Sequence, residues 1–401
     1  MGPQEPPPDE RFMPDEQDRI DQARYRRILR FFAGIISQII FWDLAASRVP
    51  VLRTRALSER PERLRTMSRE FRGLAIEMGG VMIKLGQFLS TRVDVLPREI
   101  TGELQGLQDE VPPADSEEVF ALLRSELGDP SQRFEYINPE PIAAASLGQV
   151  YQARLRPVDG GRASGPNVVI KIQRPHIADI VQTDLAALRV VARWIMRYKP
   201  IRRRANVPAL MEEFARTLWL ELDYEAEAAN AERFAQIHAG NPQIYIPNVY
   251  HQHSTRRVVV LEDVTSLKVA DTAALRQAGV NPEAVADTLL EAYYKQVFEA
   301  EFFHADPHPG NIFVRPMPPQ PVGATTTDAI PTRPFQLVFI DFGMAVHVPK
   351  AVSENLRKIL VAITQRNAPQ LTDAFHDLGF FLPDADLNRV TEAEETILDR
   401  L

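Results

Sequence analysis

Apolar residues recur at three- and four-residue spacing at Phe71, Leu74, Met78, Met82, Leu85 and Leu89, and that period predicts a helix over residues 69–92. Similar stretches predict helices at about 116–127, closed by Gly128, at 177–198, and at 208–238, where Pro208 suits a first turn. Other runs read as strands. Residues 134–137 form one, and 149–155 and 168–172, joined by a loop containing Gly160-Gly161, form a hairpin. Residues 258–264 are an apolar strand running into a polar turn. A helix over 283–303, with Leu289, Tyr293, Val297 and Phe302 roughly in phase, leads to short strands at 312–314 and 337–340. Residues 350–380 read as helix broken at Asn367-Ala368-Pro369, and the final TEAEETILDRL is helical in pattern.

Other stretches lack such a period. Residues 1–18 are polar and Pro-rich and are predicted to be disordered. Residues 109–116 read as a linker, and 316–334 as a flexible Pro/Thr-rich insertion. After residue 18 comes a basic, aromatic stretch. Arg24, Arg26, Arg27 and Arg30 lead into the apolar run 31–42, and arginines resume at Arg48, Arg53, Arg55, Arg60, Arg63, Arg65 and Arg69. The apolar run is shorter than the ~20 residues a membrane span takes. Two readings fit: a helix lying on an anionic membrane surface, or a helix packed on the domain with a solvated basic face.

The chain has 401 residues, of which 45% are hydrophobic and 25% charged, enough for two domains or one bilobed one. A net charge of -8 argues against a nucleic-acid binder. The absence of cysteine removes disulfides, thiol catalysis and thiolate zinc sites. No basic segment leads into an apolar run at the start, so no secretory signal is expected.

The candidate chemistry lies in His304-Ala305-Asp306-Pro307-His308-Pro309-Gly310-Asn311 and in Asp341-Phe342-Gly343. Phosphoryl transfer needs a positioned acceptor, divalent metal on the phosphates and donors for developing charge. Asp306 can orient or deprotonate an acceptor, and Asn311 and Asp341 offer the hard oxygens that Mg²⁺ prefers. Upstream, the alanine-rich Ala143, Ala144, Ala145 and Ser146 stand where a kinase keeps its phosphate-covering loop, and should make a stiffer loop than glycine would. Lys171 occupies the strand position where a kinase lysine meets the α- and β-phosphates; alone it could be an edge-strand lysine. Glu221, Asp223 and Glu227 cannot all share one helical stripe. One of them can pair with Lys171 while others face Lys84, which shares a helix face with Gln87. In a bilobed kinase the strand ending near Glu262 and Val264 is the hinge that binds adenine through its backbone. His304, Asp306 and His308 also offer three ligands for a hydrolytic metal, though no other histidine pair lies close in sequence.

Taken in order, these elements resemble the UbiB/AarF-like atypical kinase family over about residues 70 to 380. The resemblance implies an α+β, bilobed protein-kinase-like fold with an N-terminal helical extension packed over the active site. It divides the chain into a disordered 1–18, an extension over 19–128, an N-lobe over 129–265 and a C-lobe over 266–401. It implies Asp306 as the catalytic-loop aspartate, Asn311 and Asp341 as Mg²⁺ ligands, Lys171 paired with Glu227, and Lys84 meeting Glu221 and Asp223. Lys171, Asp306, Asn311 and Asp341 would then converge on one triphosphate of ATP or ADP. The implied activity is an ATPase or small-molecule kinase tied to isoprenoid-quinone lipids, with a catalytically silent, nucleotide-sensing scaffold as the alternative. Many bacterial members carry C-terminal transmembrane helices. This sequence shows none and ends early for the family, so a truncated chain, or peripheral contact with the cytoplasmic membrane face through the N-terminal stretch, is expected.

Overall fold

The computed structural model describes residues 20–42, 48–93, 95–108, 112–157, 164–203, 205–318, 333–381 and 385–400. The proline-rich 1–18, residues 109–111 of the linker, Gly160-Gly161 and residues 319–332 of the insertion lie outside them. The chain divides into two compact units, Met1–Ala228 with Val249–Asp263, and Ala229–Asn248 with Val264–Leu401. The helical extension and the hairpin thus belong to one unit, and residues 229–248 fall to the other.

In the first unit, helices Gln22–Ile40, Arg60–Met78, Val81–Thr91, Ile177–Ile195 and Val207–Glu221 enclose a core that includes Ile28, Phe71, Met82, Leu85, Phe214 and Leu218. The sheet of this unit runs in the order β1 (Phe134–Ile137), β3 (Gly148–Leu155), β4 (Asn167–Gln173), β6 (Val258–Glu262), with β2 (Ala143–Ala144) also on β3. Helix Ser116–Leu127, ended by Gly128 at φ 75°, lays Val119, Leu123 and Leu127 on this sheet.

Among the helices expected upstream of residue 240, two are interrupted and one is shortened. The 69–92 helix is two, Arg60–Met78 and Val81–Thr91, because Gly79 and Gly80 take φ of 63° and 52°. The 177–198 helix stops at Ile195. The 208–238 helix is two, Val207–Glu221 and Tyr224–Ile237. There Asp223 Oδ1 accepts from the Ala226 amide at 2.9 Å and starts the second helix as its cap.

The basic N-terminal helix is packed on the unit. Arg24 makes a two-point contact with Asp184, at 2.6 and 2.7 Å, and Asp184 is fully buried. Burial pushes the Asp184 carboxyl up, against the pull of Arg24. Arg27 pairs with Glu77, and Phe31 and Phe32 lie against Phe71.

The second unit holds a four-stranded sheet in the order β5 (Ile244–Tyr245), β10 (Phe335–Phe339), β9 (Ile312–Pro316), β7 (Leu267–Lys268), and a pair of β8 (Phe302–His304) with β11 (Ala345–His347). The break expected at residues 367–369 lies between helices Lys350–Gln365 and Ala368–Asp377. The 283–303 helix, however, ends at Tyr294 and continues as a π-turn over Lys295–Glu299. The π-turn carries Gln296 fully inside, where its side-chain carbonyl accepts from the His304 amide at 3.1 Å.

Gln296 also meets His238, whose ring stacks on Phe339. Burial, with Lys295 a lesser cause, lowers the His238 pKa to about 4. An unfolded histidine takes its proton near pH 6.5, so between 6.5 and 4 the unfolded chain binds more protons than the folded one. Stability therefore falls as pH drops through that window, by about 3 kcal/mol once pH is below 4. Urea midpoints measured from pH 7 to pH 4.5 should fall less steeply in His238→Asn than in the native protein. Parallel slopes would remove His238 as the cause.

Candidate functional site

In the first unit Lys171 sits on β4 between β3 and β6, opposite Val150 and Val259, and is therefore interior to the sheet rather than on its edge. The β period points its side chain to one face. Its Nζ lies 2.8 Å from both carboxylate oxygens of Glu227, which is 2% exposed, and 5.1 Å from the Tyr224 ring centroid. Glu227 stands in the first turn of Tyr224–Ile237, so the Asp223 cap that starts this helix also places Glu227. Gly148 makes the close approach possible: a Cβ there would lie 2.4 Å from the Tyr224 hydroxyl.

Helix Val81–Thr91 brings the lysine-glycine-glutamine element onto the same unit. Lys84 Nζ is 2.6 Å from Glu221 Oε2. Gly86 admits Leu107, whose Cδ1 would be 2.2 Å from an added Cβ, and Gln87 donates to the Leu107 carbonyl at 3.3 Å. The three residues thus fix the helix as well as the ion pair. Of the two acids expected near Lys84, Glu221 pairs with it, while Asp223 serves as the helix cap.

The alanine-rich segment is partly a strand. Ala143 and Ala144 pair with Val150 and Gln149, and the Ala145 amide donates to the Gly148 carbonyl at 2.8 Å, closing a tight turn. Ala143 and Ala145 are exposed, whereas Ser146 is buried at 4%. Gln149 is fully buried: its amide carbonyl accepts from the Ala114 amide and its Nε2 donates to the Tyr151 hydroxyl at 2.6 Å. At the end of β6, Glu262 lies opposite Val168, and the Asp263 amide donates to the Asn167 carbonyl at 3.2 Å. Val264 is buried and belongs to the second unit, as do Asp306, Asn311 and Asp341.

In the second unit, pairing of β8 with β11 and of β9 with β10 presents two neighbouring loops. The Ala305 amide donates to the Met344 carbonyl at 2.9 Å, and the Ile340 amide to the Asn311 carbonyl at 2.9 Å. Asn311 Nδ2 donates to Asp306 Oδ2 at 2.8 Å. That bond leaves the amide oxygen of Asn311 as its free ligand atom. Asp341 takes a left-handed φ of 62°, a conformation rare for a residue other than glycine. Its carbonyl lies 2.8 Å from Nε2 of the fully buried His304, and its Oδ1 accepts from the Gly343 amide at 3.3 Å. Phe342, also fully buried, packs on Phe234 and His304. Asn230 donates to its carbonyl at 2.9 Å; nothing in the polar helical pattern around Asn230 marked it out. The Tyr293 phenol is pushed up to about 12 by burial and by the charge of Asp306, so it keeps its proton.

The carboxylate of Asp341 and the amide oxygen of Asn311, on adjoining loops, are hard-oxygen donors of the kind Mg²⁺ takes. The histidine-based alternative does not fit. His304 directs one ring nitrogen to the Asp341 backbone, and His308 Nδ1 accepts from the Gly310 amide at 3.1 Å. Among the described residues no three His, Cys, Asp or Glu side chains gather as a metal site.

Comparison with known proteins bears on both units. Residues 106–375 match the ABC1 atypical kinase-like domain. A probable protein kinase UbiB of Marinobacter nauticus is 33% identical over 80% of this chain and 56% of its own length. The Arabidopsis thaliana protein ACTIVITY OF BC1 COMPLEX KINASE 8, chloroplastic, is 35% identical over 79% of this chain and 39% of its own. This chain thus spans about half the length of these curated relatives. A solved structure of Rv3197 with erythromycin, from Mycobacterium tuberculosis, shares the fold at a TM-score of 0.53, with 24% identity, over 83% of this chain and 78% of that one.

Proposed function

The chain belongs to the ABC1 atypical kinase-like family, and from that membership we propose that it binds ATP with Mg²⁺ and acts as a slow ATPase or phosphotransferase supporting isoprenoid-quinone lipid synthesis. The observation that carries this reading is the Lys171–Glu227 pair, a cation fixed on an interior strand by a buried carboxylate. A lysine held this way presents its ammonium to phosphate oxygens without a rotamer search. Lys171 would meet the α- and β-phosphates of the nucleotide. Asn311 and Asp341 would hold the metal, which supplies charge neutralisation on the phosphates. Asp306, oriented by its bond from Asn311, would position the acceptor hydroxyl or water and take its proton. Backbone groups near Glu262 and Val264 would receive adenine, and Ala143 to Ser146 would border the phosphates. The Lys84–Glu221 pair, on a helix tied down by Gly86 and Gln87, would gate access and favour small acceptors over proteins.

No helix among the described residues is long and apolar enough to cross a membrane. We assign peripheral contact with the cytoplasmic face of a membrane to the end of the first helix, where Ile40 and Phe41 are 46% and 52% exposed.

The test is thermal unfolding with nucleotide. At a hundred times its dissociation constant, ATP with Mg²⁺ should add about 2.7 kcal/mol of stability, and chelating the metal should remove most of it. An unchanged melting curve in both conditions would contradict the reading.

A further inference from the structure

The π-turn Lys295–Glu299 is unused by the roles proposed for Asp306, Asn311 and Asp341, yet turns of this kind gather at functional sites. It closes with the Ala300 amide donating to the Lys295 carbonyl at 2.9 Å, one residue more than an α-turn spans. The extra residue re-aims the side chains around it, and Gln296 points wholly into the interior of the second unit. A buried amide side chain is costly unless its donors and its acceptor are met.

Those needs are met by two histidines. The His304 amide can only donate, so the Gln296 carbonyl oxygen is the atom it reaches at 3.1 Å. The Gln296 NH2 group then faces His238 Nε2 at 3.3 Å, and that ring nitrogen has to accept. His304 extends the series of contacts. Its Nε2 lies 2.8 Å from the Asp341 carbonyl, which can only accept, so Nε2 carries the proton of the ring. Nδ1 of His304 and Nδ1 of His238 are buried and have no hydrogen-bond partner, so each ring is held by its Nε2 alone among polar contacts.

Backbone strain brackets the stretch that this series holds. Glu301, two residues past the π-turn, takes φ 50°, and Asp341 takes φ 62°. Residues other than glycine stay in such conformations only where their surroundings over-determine them. For Asp341 the surroundings include the His304 ring, and for the His304 main chain they include Gln296.

We propose that Gln296 is a positioning residue for Asp341: it sets the main chain of His304, whose ring holds the aspartate left-handed and so aims its carboxylate. The consequence for Mg²⁺ rests on the proposed role of Asp341 as a metal ligand; the contacts themselves do not.

The test compares the native protein with Gln296→Met, which keeps length and volume but offers neither a carbonyl nor an NH2 group. Leu371→Ala, a core change elsewhere in the same unit, controls for lost stability. The first measurement is amide hydrogen exchange without nucleotide. Exchange at Gly343, whose amide donates to Asp341 Oδ1, should quicken about tenfold in Gln296→Met, while β9 and β10 keep their native rates. The second is the Mg²⁺ concentration that gives half of the ATP melting shift. It should rise about tenfold, with ATP affinity at saturating Mg²⁺ kept within about twofold. His238→Phe keeps a ring on Phe339 and strands only the Gln296 NH2 group; it serves should Gln296→Met fail to fold, and should quicken the same exchange about threefold. Native exchange at Gly343 in the folded variants, or equal quickening by Leu371→Ala, overturns the proposal. Quickened exchange with an unchanged Mg²⁺ requirement, where the native protein does require Mg²⁺, overturns it as well. Quickened exchange where the native protein shows no Mg²⁺ effect upholds the link to Asp341 and sinks the metal reading instead.

Discussion

Asp341→Asn is expected to lower ATP turnover by about 10²–10³, the usual effect of removing one fixed electrostatic partner of the transition state. The substitution is chosen for its backbone. Asp341 stands at φ 62°, with its carbonyl against His304 and its side chain accepting from the Gly343 amide. Asparagine tolerates that conformation better than alanine and keeps the side chain's shape, so the fold should hold while the charge is lost. The Mg²⁺ concentration needed for half-maximal ATP stabilisation should rise in parallel. A variant with native turnover and native metal dependence would remove Asp341 from the metal site.

Glu227→Ala carries the largest expected cost in stability. It leaves the Lys171 ammonium, on a side chain 15% exposed, without the carboxylate that both of its 2.8 Å contacts reach. Breaking a buried pair by removing one partner costs ~3–5 kcal/mol, and the partial exposure of Lys171 puts the expected loss near the bottom of that range. A Lys171→Met, Glu227→Leu double variant should recover much of the loss, because no charge is stranded. Chemical denaturation of the three proteins measures this. A double variant as unstable as Glu227→Ala would locate the cost in packing instead of charge.

What could be read in advance follows from the range of the forces involved. The hairpin carrying Lys171 was legible because alternation of side chains is local, and β3 and β4 fall within a residue of the expected strands. Its partner Glu227 lies 56 residues away, and only the family resemblance linked them. The break at Gly79-Gly80 was masked by an apolar period that runs through both helices. The break at Leu222-Asp223 carries no glycine or proline at all; a side-chain cap makes it. Phe302 was in phase with the preceding helix, yet pairing with residues 345–347 draws it into a strand. Gln296 is a buried polar knot that meets His238, 58 residues away, and no local pattern announces such a residue.

Inorganic phosphate release from ATP is the decisive measurement, made on the native protein, Lys171→Met and Asp306→Asn, each first shown to unfold at the native midpoint or corrected for its folded fraction. Slow Mg²⁺-dependent release by the native chain, reduced at least about a hundredfold in both variants, is the expected result. Equal release by all three, or release indifferent to the metal, would contradict it and leave a scaffold that senses nucleotide without turning it over.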